Sequence, residues 1–326
     1  MSKTIKYISF GKYETGGFKH ELFFAQSLVN LLNEQGLNLV LQRIRKNKFY
    51  TNLFGYINLL LLGFTANASY NIVVARIAFT AVLRNLFNNN RTYIVLHNYD
   101  EQDGKSVWLK LYFKMLFALL RYVPLKRVSI ITVAPYWVHY FETITRNNIK
   151  VHLFPNFFDN NYYTKFVTDN KKKQIHLGQW SFKNHPDVFT LAEQLHKEGY
   201  YCHMSTNYKN FAAKHTSFDV LYFEEFDNYL KHMAESQFTI AFTAINEGWN
   251  RVAHESILVH TPVIAYAKAG LKDLVDESHS YAVNNIAEAI AIIENKNEPV
   301  NSHLLAHYDI SYCNNYLKPI TAELLS

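Results

Sequence analysis

Cysteine is nearly missing from this chain. The two present in 326 residues, Cys202 and Cys313, form no disulfide framework and match no metal-ligand spacing. They are expected as small, buried or half-buried thiols in a reducing compartment. Charge is scarce as well. Asp, Glu, Lys and Arg make up 18% of the residues, below the usual quarter, which excludes a disordered chain. No signal-peptide apolar core opens the sequence, and Met1 to Phe10 reads as a short strand. The uncharged run Phe49 to Ala75 is broken by Gly55, Gly63, Asn52, Asn58, Asn67 and Asn71. Its densest apolar part, Ile57 to Phe64, is too short to span a bilayer, so a buried helix followed by the strand Tyr70 to Ala75 is expected. Zinc-finger, RNP-type and basic-zipper patterns are absent, which excludes nucleic acid as an expected partner. No repeat and no low-complexity segment appears beyond short Asn runs.

What is present is core material. Hydrophobic residues are 49% and aromatic residues 16%, in a chain long enough for two domains. Charge is unevenly spread. Up to residue 164 there are 19 Lys+Arg against 8 Asp+Glu, a net of +11, and the remainder nets −5 from 14 against 19. Two domains with different partners follow from that split. Apolar strands alternate with helical segments in both halves, which implies parallel sheets covered on both faces. Expected strands include Tyr93 to His97, Gln174 to Gly178, Phe238 to Ala244 and Pro262 to Tyr266. Gly36 is the expected cap of the helix Phe18 to Gln35. A linker is expected near Asn156 to Lys173, where aliphatics are few and Lys171, Lys172 and Lys173 follow one another. The domains are therefore placed at 1–160 and 161–305, with a tail at 306–326.

Asn246 to Gly270 carries the chemistry. Glu247 and Glu255 stand eight positions apart; the first follows an apolar strand with Gly248 beside it. The second is expected about two turns into a helix starting near Trp249, on a face that looks back toward the helix N-terminus. That N-terminus offers N–H groups and a positive dipole end to phosphate. One carboxylate for each polyol end and amides for a central diphosphate describe a nucleotide sugar.

The E-x7-E spacing, the strand Thr261 to Ile264 (T-P-V-I) and Gly270 resemble the donor site of the family 4 retaining glycosyltransferases. The resemblance covers most of the chain thinly and Ile175 to Val275 specifically. It implies the GT-B fold, two Rossmann-like doubly wound domains facing a cleft, with the tail crossing back onto the first domain. It implies that Glu255 holds ribose hydroxyls and Glu247 the donor sugar. Gly248, Trp249, Asn250 and Val252 then lie along the diphosphate. Gly178 to Pro186 matches the family's Gly-Arg…Lys element. Lys183 stands at the Lys, but Gln179 stands where Arg is usual. Arg251 is the expected compensating cation. Gly16 and Gly17 resemble the N-terminal glycine loop, and His97 the histidine at a strand end near the donor sugar and the acceptor. Asn156 matches a structural turn at the domain boundary.

The resemblance gives a metal-independent transfer to a glycan, lipid-linked or other cell-surface polysaccharide precursor, with no cofactor beyond the nucleotide-sugar co-substrate. Glu101 and Asp103 sit in the wrong half for a metal motif and are read as loop acids. A nucleotide-sugar epimerase of the same fold and a non-catalytic carbohydrate- or partner-binding subunit stay open as alternatives. A sugar phosphorylase would need a cofactor-lysine pattern that is absent. Trp108 to Arg127 is a basic amphipathic stretch, with Lys110, Lys114 and Arg121 nearly in line on a helix. It reads either as a helix of the first domain's core or as one lying in a membrane interface. A cytoplasmic protein, peripheral on an anionic inner membrane face, is the matching expectation.

Overall fold

The computed structural model describes residues 3–10, 16–46, 53–88, 90–99, 107–295 and 302–325. The acids Asp100, Glu101 and Asp103, and the segment Gly11 to Thr15, lie outside these. The chain divides into two compact units, Met1–Asn156 with Ser311–Ser326, and Phe157–Ile310.

In the first unit, six parallel strands form one sheet: β1 (Lys3–Phe10), β2 (Leu39–Lys46), β3 (Tyr70–Val74), β4 (Arg91–Val95), β5 (Val128–Thr132) and β6 (Lys150–Leu153). Their spatial order is β2-β1-β3-β4-β5-β6. The helices between them are α1 (Gly16–Glu34), α2 (Leu53–Gly63), α3 (Ala78–Phe87), α4 (Val107–Tyr122) and α5 (Pro135–Ile144). From β1 to β2 the chain moves one way across the sheet; from β2 to β6 it moves the other. Right-handed crossovers then put α1 on one face and α2 to α5 on the opposite face.

The second unit repeats this logic. Its elements are α6 (Asn160–Tyr163), β7 (Gln174–Gln179), α7 (Asp187–Lys197), β8 (Tyr201–Thr206), β9 (Ala213–Lys214), β10 (Asp219–Tyr222), α8 (Phe226–Ala234), β11 (Phe238–Ala241), α9 (Arg251–Leu258), β12 (Val263–Ala265), α10 (Gly270–Glu277), β13 (Tyr281–Ala282) and α11 (Ile286–Asn295). The sheet order is β13-β12-β11-β7-β8-β10-β9, parallel except for β9. Here the direction of winding reverses between β7 and β11. In doubly wound sheets such a reversal opens a crevice at the strand C-termini, where ligands bind. The core splits accordingly. Val188, Leu191 and Ile293 pack one sheet face, and Leu230, Met233 and Leu258 belong to a separate cluster with Phe158 and Tyr163.

Three expectations change. The uncharged helix is α2, and it is only half buried: Leu62 is inside, whereas Ile57 and Leu61 are exposed. It lies in a single layer over the sheet, so a helix apolar all round must show one side. The Asn156 to Lys173 segment is no loose linker, because Phe158 and Tyr163 are buried within it. It is poor in aliphatics because aromatics do the packing. The strand Phe238 to Ala244 stops at Ala241, since Thr243 turns away to pair antiparallel with Asn184.

The last helix, α12 (Cys313–Leu325), packs beside α1 on the first unit. Glu323 anchors it at the starting ends of the strands. Its carboxylate meets Arg91 at 3.3 Å, Lys150 at 2.9 Å and His152 at 3.3 Å, and accepts from Ser129 Oγ at 3.2 Å. Burial alone would raise this carboxyl. The hydrogen bonds and charges of His152 and Lys150 outweigh burial and draw it down to about 2. Breaking a buried pair costs about 3–5 kcal/mol, and the exposed Lys150 contributes little of that. Glu323→Ala should therefore destabilise the first unit by about 3 kcal/mol in urea unfolding. Because the folded value lies below the ordinary 4.5, the contribution is full above pH 4.5 and fades as pH falls toward 2. The difference between wild type and variant should shrink across that window.

Candidate functional site

The reversal point between β7 and β11 is built by two loops fastened to each other. Near the end of β7 the chain bends at Gly178, whose φ is +77° and whose Cβ, were there one, would stand 3.0 Å from the Ile240 carbonyl oxygen. Only glycine fits that combination. Asn184 then folds the loop: its Nδ2 donates to the Gln179 carbonyl and its Oδ1 accepts from Ser181 N–H. The loop meets the segment after β11 through His185 N–H to Phe242 O at 3.0 Å and Ala244 N–H to Lys183 O at 2.8 Å. These two bonds fix Lys183 opposite Glu247. Lys183 Nζ lies 3.4 Å from Glu247 Oε2, with the lysine side chain two-fifths exposed and the glutamate nearly enclosed. On the other side, Gly270 N–H donates to the Glu247 carbonyl at 3.1 Å. The neighbouring Ala269 is a non-glycine residue at φ +50°, a costly conformation held next to the same loop.

Helix α9 begins at Arg251, two residues later than expected, because Asn250 is its N-cap and accepts from Ala253 N–H at 2.9 Å. Glu255 is thus just over one turn inside, closer to the positive helix end than two turns would place it. It is buried, 3.6 Å from Arg251 across one helical turn, and accepts from Tyr229 Oη at 3.2 Å. Burial first, and the Glu255 carboxylate second, hold Tyr229 protonated, so it acts as a donor there. The Arg251 guanidinium sits 4.8 Å over the Phe158 ring. The result is two carboxylate–cation pairs at one sheet edge, Glu247 with Lys183 and Glu255 with Arg251.

Other residues singled out in the sequence sit around this centre. Gly248 is buried in the turn before α9, and Val252 is half-buried against the Phe158 cluster. Trp249 is buried, donating its indole N–H to His254 Nδ1 at 3.0 Å and packing on Tyr308. His254 is wholly enclosed, and burial pushes its pKa well below 6.5, so it packs as a neutral ring. Gln179 ends β7 half-exposed.

The first unit holds the remaining candidates by itself. Gly16 and Gly17 form the first turn of α1. His97 lies two residues past the end of β4, not within it as expected. Its Nε2 is 3.2 Å from Glu21 Oε1, and Tyr7 Oη donates to Glu21 Oε2 at 2.8 Å. Glu21, Tyr7, Tyr229 and Phe158 were not legible in the sequence. They come from other elements, and only Glu21, four residues after Gly17 on one helix, had a local signal. Among the described residues no cluster of His, Cys, Asp or Glu could hold a metal ion.

No family model matches the chain, and no curated protein matches it by sequence. Solved structures match it by shape. Sucrose-phosphate synthase from Thermosynechococcus elongatus aligns at TM-score 0.70 and 11% identity, over 99% of this chain and 99% of that one. The UDP-forming α,α-trehalose-phosphate synthase from Burkholderia xenovorans aligns at 0.64 and 13%, over 100% and 99%. HepE from Anabaena, in complex with UDP and glucose, aligns at 0.61 and 13%, over 98% and 99%. The chain has the GT-B fold. At such identities the GT-B likeness carries architecture alone, and the chemistry must come from the residues above.

Gly178 offers a direct check on the loop that presents Lys183. Gly178→Ala forces a side chain into the left-handed region and against Ile240, which should cost about 1–2 kcal/mol or more. Urea unfolding of the variant should show that loss.

Proposed function

We propose that the chain is a retaining glycosyltransferase that moves a sugar from a nucleoside-diphosphate sugar to a glycan, a lipid-linked acceptor or another polysaccharide precursor. One observation carries the reading: two carboxylate–cation pairs gathered where the second sheet reverses its winding, beside the N-terminus of α9. A carboxylate suits the vicinal hydroxyls of ribose and of a sugar, and a cation suits the phosphate between them. HepE, seen with UDP and glucose, and a UDP-forming synthase share the fold, which supports a nucleotide sugar as donor.

In this reading Glu255 takes the ribose hydroxyls and Glu247 the donor sugar hydroxyls. Lys183 and Arg251 meet the diphosphate, and Arg251 supplies the positive charge that Gln179 does not. Catalysis is front-face displacement. An acceptor hydroxyl oxygen bonds to the anomeric carbon as the bond from that carbon to the phosphate oxygen breaks. The departing phosphate takes the hydroxyl proton, so the products are glycoside and nucleoside diphosphate. Charge grows on the leaving phosphate, and fixed cations there are the largest source of acceleration. We assign His97 to a substrate hydroxyl, with Glu21 orienting it. No divalent ion is needed in this scheme, so activity should persist in EDTA. The free, buried Cys202 and Cys313, whose thiols burial pushes up to about 12 and about 11, suit a reducing cytoplasm.

Donor binding tests the ribose assignment. A charged hydrogen bond contributes about 1.5–3 kcal/mol, so Glu255→Ala should raise the Kd for the nucleotide at least about ten-fold. Calorimetry across UDP, GDP and ADP would read it, and an unchanged Kd for the nucleotide that binds would sink the assignment.

Turnover tests the cations. Lys183→Ala should lower kcat by an amount on the order of 2.7–4 kcal/mol, the loss of one preorganised donor. Arg251→Ala should cost comparably, and Gln179→Arg in that background should restore activity. If neither single change slows transfer of a radiolabelled sugar, the diphosphate lies elsewhere.

A further inference from the structure

The donor chemistry makes no use of the outer face of the helix layer α2 to α4 in the first unit. On α4 the side toward the sheet is apolar and buried, through Tyr112, Leu116, Phe117 and Leu120. The opposite side is apolar too, and exposed. Trp108, Leu111, Met115 and Tyr122 recur at spacings of three, four and seven, so they line one stripe, 44–64% exposed. Leu61 on α2 and Phe87 at the end of α3 are exposed on adjoining helices, Phe87 at 86%. Exposed apolar residues on three packed helices are more than scattered surface hydrophobes. Lys110 and Lys114 are exposed beside the stripe. Arg121, expected on the same line, turns inward and donates to the Ile144 carbonyl at 2.9 Å.

Charge identifies what would cover this face. From Gly36 to Phe141 there are 13 Lys+Arg, and the only carboxylates are Asp100, Glu101 and Asp103. α2, α3 and α4 carry none. A second copy of the chain would bring like charge against like, which disfavours self-association through this face. Nucleic acid would use the lysines and leave the Trp108 to Tyr122 stripe in water. A bilayer with anionic headgroups uses both: apolar side chains enter the interface, Trp and Tyr sit at headgroup level, and lysines meet the lipid phosphates.

We propose that the α2–α4 layer docks the first unit on an anionic lipid bilayer, with the Trp108–Tyr122 stripe of α4 lying in the interface. The proposal stands on this unit alone, so it survives or fails apart from the donor chemistry.

The experiment is co-flotation of the full chain with phosphatidylcholine vesicles, with and without phosphatidylglycerol, over a range of salt. The protein should float with the anionic vesicles, release as salt rises, and float little with neutral ones. Each basic residue at such a surface strengthens binding roughly five-fold, so Lys110→Ala with Lys114→Ala should weaken binding about thirty-fold. Trp108→Ser, Leu111→Ser and Met115→Ser together should abolish flotation. Their far-UV circular dichroism should stay native and their melting temperature fall by only a few degrees, because these side chains are about half exposed. Brominated lipid should quench Trp108 fluorescence, and Trp108→Phe should remove that quenching. The proposal is overturned if wild type floats with neither vesicle at low salt, or if the serine variant floats as well as wild type. It is also overturned if the same serines instead abolish a concentration-dependent dimer or binding to duplex DNA.

Discussion

The short antiparallel contact between the loops after β7 and β11 is the constraint on which the candidate site depends. Both strands belong to a parallel sheet, so their C-terminal loops have no obligatory partners. Two backbone bonds, His185 to Phe242 and Ala244 to Lys183, give them one. Gly178 makes the bond pattern reachable, since only its left-handed turn brings the chain back across the Ile240 carbonyl. The lock sets where the Lys183 backbone stands against the Glu247 segment, and the two-fifths-exposed side chain then reaches Glu247 at 3.4 Å.

The two carboxylates are held on different terms. Glu255 is buried, and a buried unpaired charge costs several kcal/mol. Arg251, Tyr229 and the nearby helix end supply the compensation. Glu247, nearly enclosed, pairs with Lys183, whose side chain is two-fifths exposed. Arg251, stacked on Phe158, stands one turn from Glu255.

Much of this was legible because it is local. Alternating strands and helices gave the two doubly wound units, and Glu247, Glu255, Asn250 and Arg251 lie within one short segment. What stayed hidden is what tertiary contact decides. The end of β11 moved to Ala241 because Thr243 pairs with Asn184, a partner almost sixty residues away. The two-residue strands β9 and β13 are too short to show alternation. Tyr229 and Glu21 reach Glu255 and His97 from other elements, and no spacing links them. The half-exposure of α2 is the sharpest case. A sequence apolar on all sides says that burial is favourable, and only the layer arrangement says how much burial is on offer.

The first unit also separates stability from chemistry by position. Glu323 binds residues at the starting ends of β4, β5 and β6, where nothing proposed for catalysis resides. Gly16, Gly17 and the Glu21–His97 pair stand at the opposite, C-terminal ends. A carboxylate drawn down to about 2 by several partners is a poor proton carrier and a good anchor. His97 pairs with Glu21 and keeps its side chain about one-fifth exposed. Because α12 is tied down by the former set, loops at the other edge can vary in sequence without loosening the sheet.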